Sequence, residues 1–113
     1  MQTSATPIDL SLDPLLADFR EALNARFGTD LKELWLFGSR ARGTSRPDSD
    51  YDVLVVAEGA PSDLRWALAE ETFAMTERYE TPVEALVYSP ELWQQLKGFP
   101  LGKNVLAEGI RLQ

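Results

Sequence analysis

The chain has 113 residues, 44% of them hydrophobic, no cysteine and no histidine, and a formal charge of −7 with an isoelectric point near 4.5. This length predicts a single domain over residues 1–113 with one core. The missing cysteines exclude a disulfide framework and thiolate chemistry, and the missing histidines leave carboxylate, lysine, tyrosine or metal-bound hydroxide as any general base. The negative field argues against a long nucleic acid as partner. No apolar run approaches a membrane span, and the opening Met1-Gln2-Thr3-Ser4 lacks the regions of a signal peptide, so the expected address is the cytoplasm.

In chain order, Leu12, Leu15, Leu16, Phe19, Leu23 and Phe27 recur at helical spacing, with Ser11 and Asp13 as start signals and Gly28 as a stop. Leu31 to Phe37 and Asp50 to Val56 are dense in apolar residues on both faces, as strands of a covered sheet are. Ser62 and Asp63 open a second helix in which Leu64, Leu68, Met75 and Tyr79 share one side, and Thr81-Pro82 closes it. Val83 to Tyr88 reads as a third strand. Ser89-Pro90-Glu91 then supplies an N-cap, a first-turn proline and an acidic first turn for a helix over Glu91 to Leu96. Gly98, Pro100 and Gly102 break the chain, Lys103 to Glu108 forms a last short helix, and Ile110 to Leu112 a terminal strand.

The link between the first two strands carries the chemistry. It runs Phe37-Gly38-Ser39-Arg40-Ala41-Arg42-Gly43, then Thr44 to Ser49, then Asp50-Tyr51-Asp52. Gly38 has no side chain and lets a phosphate approach the backbone, Ser39 adds a hydroxyl where a helical turn begins, and Arg40 and Arg42 bring forked cations suited to phosphate oxygens. In an extended strand Asp50 and Asp52 share a face and Tyr51 takes the other. Paired carboxylates beside a nucleoside triphosphate suit Mg²⁺, a hard ion that takes one or two such ligands and phosphate oxygens. Glu84, near the start of the third strand, is placed to bring a third carboxylate, the minimum for two ions. It would act as a metal ligand or as the base.

These residues resemble the DNA polymerase beta-like nucleotidyltransferases, whose signature is Gly-Ser, a spacer, Asp-x-Asp and a later acidic residue. The short chain and the run Gly38 to Gly43 look more narrowly like the minimal nucleotidyltransferases that serve as antitoxins in HEPN/MNT toxin-antitoxin pairs. The resemblance implies an α/β (α+β) polymerase beta-like fold, a small mixed or antiparallel sheet with helices packed on one face. It implies ATP as substrate, two Mg²⁺ ions, and transfer of AMP to a tyrosine of a HEPN ribonuclease partner. Members commonly carry aspartate where this chain has Glu84, which reaches one methylene farther.

Each residue also has an ordinary explanation. Asp50 and Asp52 taken alone are polar residues at a strand mouth, and Glu84 a solvent-facing edge carboxylate. One of Arg40 and Arg42 is expected to hold phosphate while the other only solvates the loop, and Arg46, Pro47 and Asp48 read as turn residues. Trp35 is expected in the core, while Trp66 and Trp93 stay open between core and partner contact. Glu70-Glu71 and Glu77 to Glu80 read as a solvated helix face. Two other functions remain: adenylyl transfer to a small molecule, for which related enzymes generally carry an extra helical domain, and a non-catalytic antitoxin that occludes its partner.

Overall fold

The computed structural model describes residues 13–47 and 49–113. Ser11 and Leu12, read as part of the first helix, and Asp48 lie outside them. Helix α1 runs Pro14–Phe27 from an Asp13 N-cap, whose carboxylate accepts from the Leu16 amide, and stops at Gly28. The periodic residues Leu15, Leu16, Phe19 and Leu23 form its buried stripe. A 3₁₀ turn, Gly28–Asp30, leads into strand β1, Leu31–Phe37. One short turn of helix, α2, spans Ser39–Arg42, and β2 spans Tyr51–Ala57.

Helix α3, Pro61–Tyr79, starts one residue before the expected opening at Ser62 and Asp63, because proline's fixed φ suits a first turn that needs no amide donor. It buries Leu64, Leu68 and Met75. Strand β3, Val83–Tyr88, has the expected bounds, and α4, Pro90–Leu96, is capped by Ser89, which accepts from the Leu92 amide. Helix α5, Pro100–Glu108, takes in Pro100 and Gly102, which the sequence suggests as breakers. Pro100 sits in the first turn. Gly102 is buried where a Cβ would overlap the Leu96 carbonyl, so the missing side chain lets α5 press against the end of α4. The last strand, β4, is short, Ile110–Arg111.

The sheet order is β3-β2-β1-β4, with β2 and β3 parallel and the other neighbours antiparallel. This is the mixed sheet of an α/β fold. Period-two alternation in the strands separates its two faces. Tyr51, Val53, Val55 and Ala57 of β2 join Leu34 and Leu36 of β1 against the α1 and α3 stripes. The expectation that helices cover one face holds for these two long helices and is corrected for the short ones. Leu54 and Val56 point the other way and pack with fully buried Trp93 of α4 and Val105 of α5, flanked by Trp35 and Phe37. A strand apolar on both faces needs cover on both, and a seven-residue helix with one tryptophan supplies it.

Candidate active site

The site lies where the second face runs out of apolar cover. Asp52 shares that face with Leu54, one pleat nearer the strand's start. In register it stands between Phe37 of β1 and Glu84 of β3. The parallel pairing of β2 and β3, which the β2-α3-β3 crossover makes possible, therefore sets Glu84 beside Asp52, as expected of the third carboxylate. Asp50 stands one residue before β2, on exposed loop rather than in the strand as read. Desolvation pushes the Asp52 carboxyl above its ordinary range, and the charges of Glu84 and then Asp50 push it further, with Arg42 opposing. The three acidic groups thus act electrostatically as one cluster.

Gly38 closes the other side. Its φ of 78° lies in the left-handed region, and a Cβ there would overlap Asp52 Oδ2 and lie 3.3 Å from Asp52 Cγ. The φ demands glycine, and the missing Cβ leaves the Asp52 carboxylate its place against the backbone. Ser39 begins α2 directly after it, partly exposed, and the turn ends at Gly43, φ 77°, whose amide donates back to the Ser39 carbonyl. Gly38, Ser39 and Asp52 are thus neighbours, as the motif predicts.

The two arginines part ways. Arg42 is half exposed, lies near enough to Asp52 to lower its pKa, and pairs with Glu108 at 3.3 Å. Arg40 turns away from the acidic cluster. Its Nε and Nη2 donate to the Ser49 carbonyl at 3.0 and 2.7 Å, Nη2 also donates to the Pro47 carbonyl at 3.1 Å, and its guanidinium lies 3.8 Å above the Tyr51 ring. The sequence pattern says of Tyr51 only that it points away from the carboxylates. It is buried, donates its hydroxyl to Asp13 Oδ2 at 3.0 Å, and has its pKa pushed up to about 12 by burial and by Asp13. No motif marks that contact, because Asp13 and Tyr51 meet only through the packing of α1 on the sheet.

The donor set of Asp50, Asp52 and Glu84 consists of hard oxygens whose mutual repulsion a divalent cation relieves, so its chemistry suits Mg²⁺. Among the described residues no three acidic side chains converge as a ligand shell. Asp50 and Glu84 are exposed, so their side chains are free to change rotamer. Of the tryptophans, Trp93 is core, Trp35 packs against it at 6.5 Å between centroids, and Trp66 is 71% exposed. Glu70 and Glu71 pair with Arg26 of α1 at 2.5 and 3.0 Å rather than simply facing solvent.

The nucleotidyltransferase domain family matches residues 16–106, most of the chain and all of the motif. The chain belongs to that family. A protein of Methanocaldococcus jannaschii provisionally named a protein adenylyltransferase is 31% identical over 94 residues, covering 83% of this chain and 90% of the relative. A solved structure described provisionally as a minimal nucleotidyltransferase superposes with a TM-score of 0.57 at 30% identity, over 91% of this chain and 95% of the other. A chain in the structure of tri-AMPylated Shewanella oneidensis HEPN toxin in complex with MNT antitoxin shares the fold, with a TM-score of 0.57 at 18% identity, over 88% of this chain and 70% of that one. The protein is therefore a nucleotidyltransferase enzyme, and its Gly38-Ser39 turn and carboxylates lie within the matched segment.

Proposed function

We propose that this nucleotidyltransferase moves AMP from ATP to a hydroxyl, expected to be a tyrosine, of a HEPN-type toxin, and so acts as its antitoxin. The observation that carries the reading is the junction of Gly38 with Asp52, flanked in register by Glu84: the side-chain-free backbone of the motif turn lies directly against a carboxylate whose strand neighbour is a second one. The AMPylated HEPN toxin in the Shewanella complex and the adenylyltransferase relative support the acceptor class.

In this reading Gly38 and Ser39 receive the triphosphate, and Arg42 offsets its charge from the α2 turn. Asp50, Asp52 and Glu84 would hold Mg²⁺, which supplies charge neutralisation on the triphosphate and a lowered pKa for the attacking hydroxyl. The acceptor oxygen bonds to the α-phosphorus as the bond to the pyrophosphate oxygen breaks, and pyrophosphate leaves. If Asp50 and Asp52 hold the ion without it, Glu84, exposed beside Asp52, takes the hydroxyl proton instead.

The test is the intact mass of the helical HEPN partner after incubation with this protein, ATP and Mg²⁺. Wild type should add AMP, and Asp50→Asn and Asp52→Asn should slow the addition about a hundredfold or more with folding retained. One observation favours a second reading, occlusion without catalysis: Trp66 and Phe73 stand 71% and 67% exposed on one side of α3, as a partner-binding stripe would. Occlusion predicts that Asp52→Asn still neutralises the partner while its mass stays unchanged.

A further inference from the structure

We infer that Arg40 is a positioning residue, which sets the loop carrying Asp50 rather than holding the nucleotide. The inference deepens the proposed function and rests on it. Arg40 shares the Gly38 to Gly43 run with residues that face the site, yet its guanidinium is committed elsewhere. Two of its nitrogens converge on one acceptor, the Ser49 carbonyl, and one of them also reaches the Pro47 carbonyl. The peptide after that Ser49 carbonyl belongs to Asp50, so fixing the oxygen fixes where the Asp50 backbone leaves the loop.

The anchor for this strut is Tyr51. The guanidinium stacks on the tyrosine ring at 3.8 Å, and the ring is held by burial and by its hydroxyl bond to Asp13. Asp13 in turn accepts from the Leu16 amide through its other oxygen. A continuous series of contacts thus runs from the first turn of α1 through Asp13, Tyr51 and Arg40 to the loop before Asp50. The loop adds local bonds of its own: the Ser49 amide donates to the Arg46 carbonyl at 3.0 Å and the Arg46 amide to Ser49 Oγ at 2.8 Å. These close a turn, and Arg40 ties that turn to the sheet.

The geometry requires arginine. A planar fork can donate from Nε and Nη2 to one oxygen while its face lies on an aromatic ring, and an ammonium group does neither in the same way. Arg42, in the same run, sends its Nη1 instead to Glu108 at 3.3 Å. Of the two arginines in the run, Arg40 is therefore the one that serves the loop.

The experiment compares wild type, Arg40→Lys and Arg40→Ala in two ways. Backbone amide exchange, followed by mass spectrometry on peptides covering residues 43–50 in the nucleotide-free protein, should speed up at Ser49 about tenfold or more in both variants, with the β1 and β2 amides unchanged. AMP transfer to the HEPN partner should lose about ten- to a hundredfold in kcat, with the KM for Mg-ATP altered less than about threefold, because a misplaced carboxylate harms the reacting geometry more than ground-state binding. Lysine should not rescue. A KM raised about tenfold at constant kcat, with partial rescue by lysine, would make Arg40 a nucleotide ligand and overturn the inference, as would unchanged exchange at Ser49. If wild type transfers no AMP, the proposed function fails while the exchange measurement still decides the role of Arg40.

Discussion

Asp52 carries a cost that its position creates. Partly removed from water and held beside Glu84 and Asp50, its carboxyl binds a proton more tightly in the folded chain than in the unfolded one. The sign follows from linkage. Ionisation at neutral pH opposes folding, and that penalty is absent once the pH falls below the ordinary carboxylate range, where both states are protonated. Asp52→Asn removes the charge at similar shape, so the variant should melt at a higher temperature than wild type at pH 7, with the gap closing as the pH is lowered to about 3.5. Paired thermal unfolding curves at the two pH values test this, and a gap independent of pH would mean that neither burial nor the acidic neighbours raise the Asp52 pKa. Tyr51 shows the opposite use of a raised pKa. With its hydroxyl pushed to about 12, it stays a neutral donor to Asp13 through the physiological range, a contribution present below pH 10 and lost only as the pH rises through about 12.

Among the helices, α4 shows how much a short element owes to its surroundings. Seven residues cannot sustain a helix in water on propensity, so it depends on the Ser89 cap and on tertiary packing. That packing centres on Trp93, fully buried against Leu54 and Val56, edge-tilted against Trp35, and donating its indole N–H to Glu33 at 3.3 Å. Trp35 donates to the same Glu33 oxygen at 2.9 Å, so one partly buried carboxylate satisfies both indoles. Trp93→Ala should cost about 3–5 kcal/mol in urea unfolding, the range for removing a large buried aromatic. The loss should reach the site as well, because Leu54 and the Trp93 layer lie directly beneath the strand end that presents Asp52. By contrast, α1 and α3 share long apolar stripes and a polar link: Asp18 accepts from Tyr79 and, at 2.7 Å, from Arg78, which holds its carboxyl below the usual range.

At the scale of the molecule, the last residues join the two ends of the described chain. Leu112 is buried, its amide donates to the Leu34 carbonyl at 2.7 Å, and the Leu34 amide donates to the Gln113 carbonyl at 2.9 Å. The Gln113 side chain exchanges hydrogen bonds with Asn24 of α1, at 2.7 Å in each direction, and accepts from Arg20. Deleting residues 110–113 therefore uncovers the β1 edge and removes an apolar plug. The expected loss is about 2–4 kcal/mol, measured by denaturant midpoint, and unchanged stability would show β4 to be ornamental. The net charge of −7 acts on the whole surface as well, and none of the described helices is long and apolar enough to cross a membrane.

Much of this molecule was legible in the chain. The apolar spacing of Leu15, Leu16, Phe19 and Leu23, the Ser89-Pro90 start and the Val83 to Tyr88 run depend on contacts within a few residues, which local sequence encodes. The Gly38-Ser39 and Asp-x-Asp pattern was legible for the same reason, since a turn and a strand mouth are local structures. Tertiary structure alone decided the rest. It paired Asp52 with Glu84 across a parallel register, set α4 and α5 on the second face, and turned Arg40 onto Tyr51 and away from the acidic cluster. Each of these joins residues far apart in sequence or selects one rotamer among several, and such choices are made by packing and by the pairing of strands that no local periodicity records.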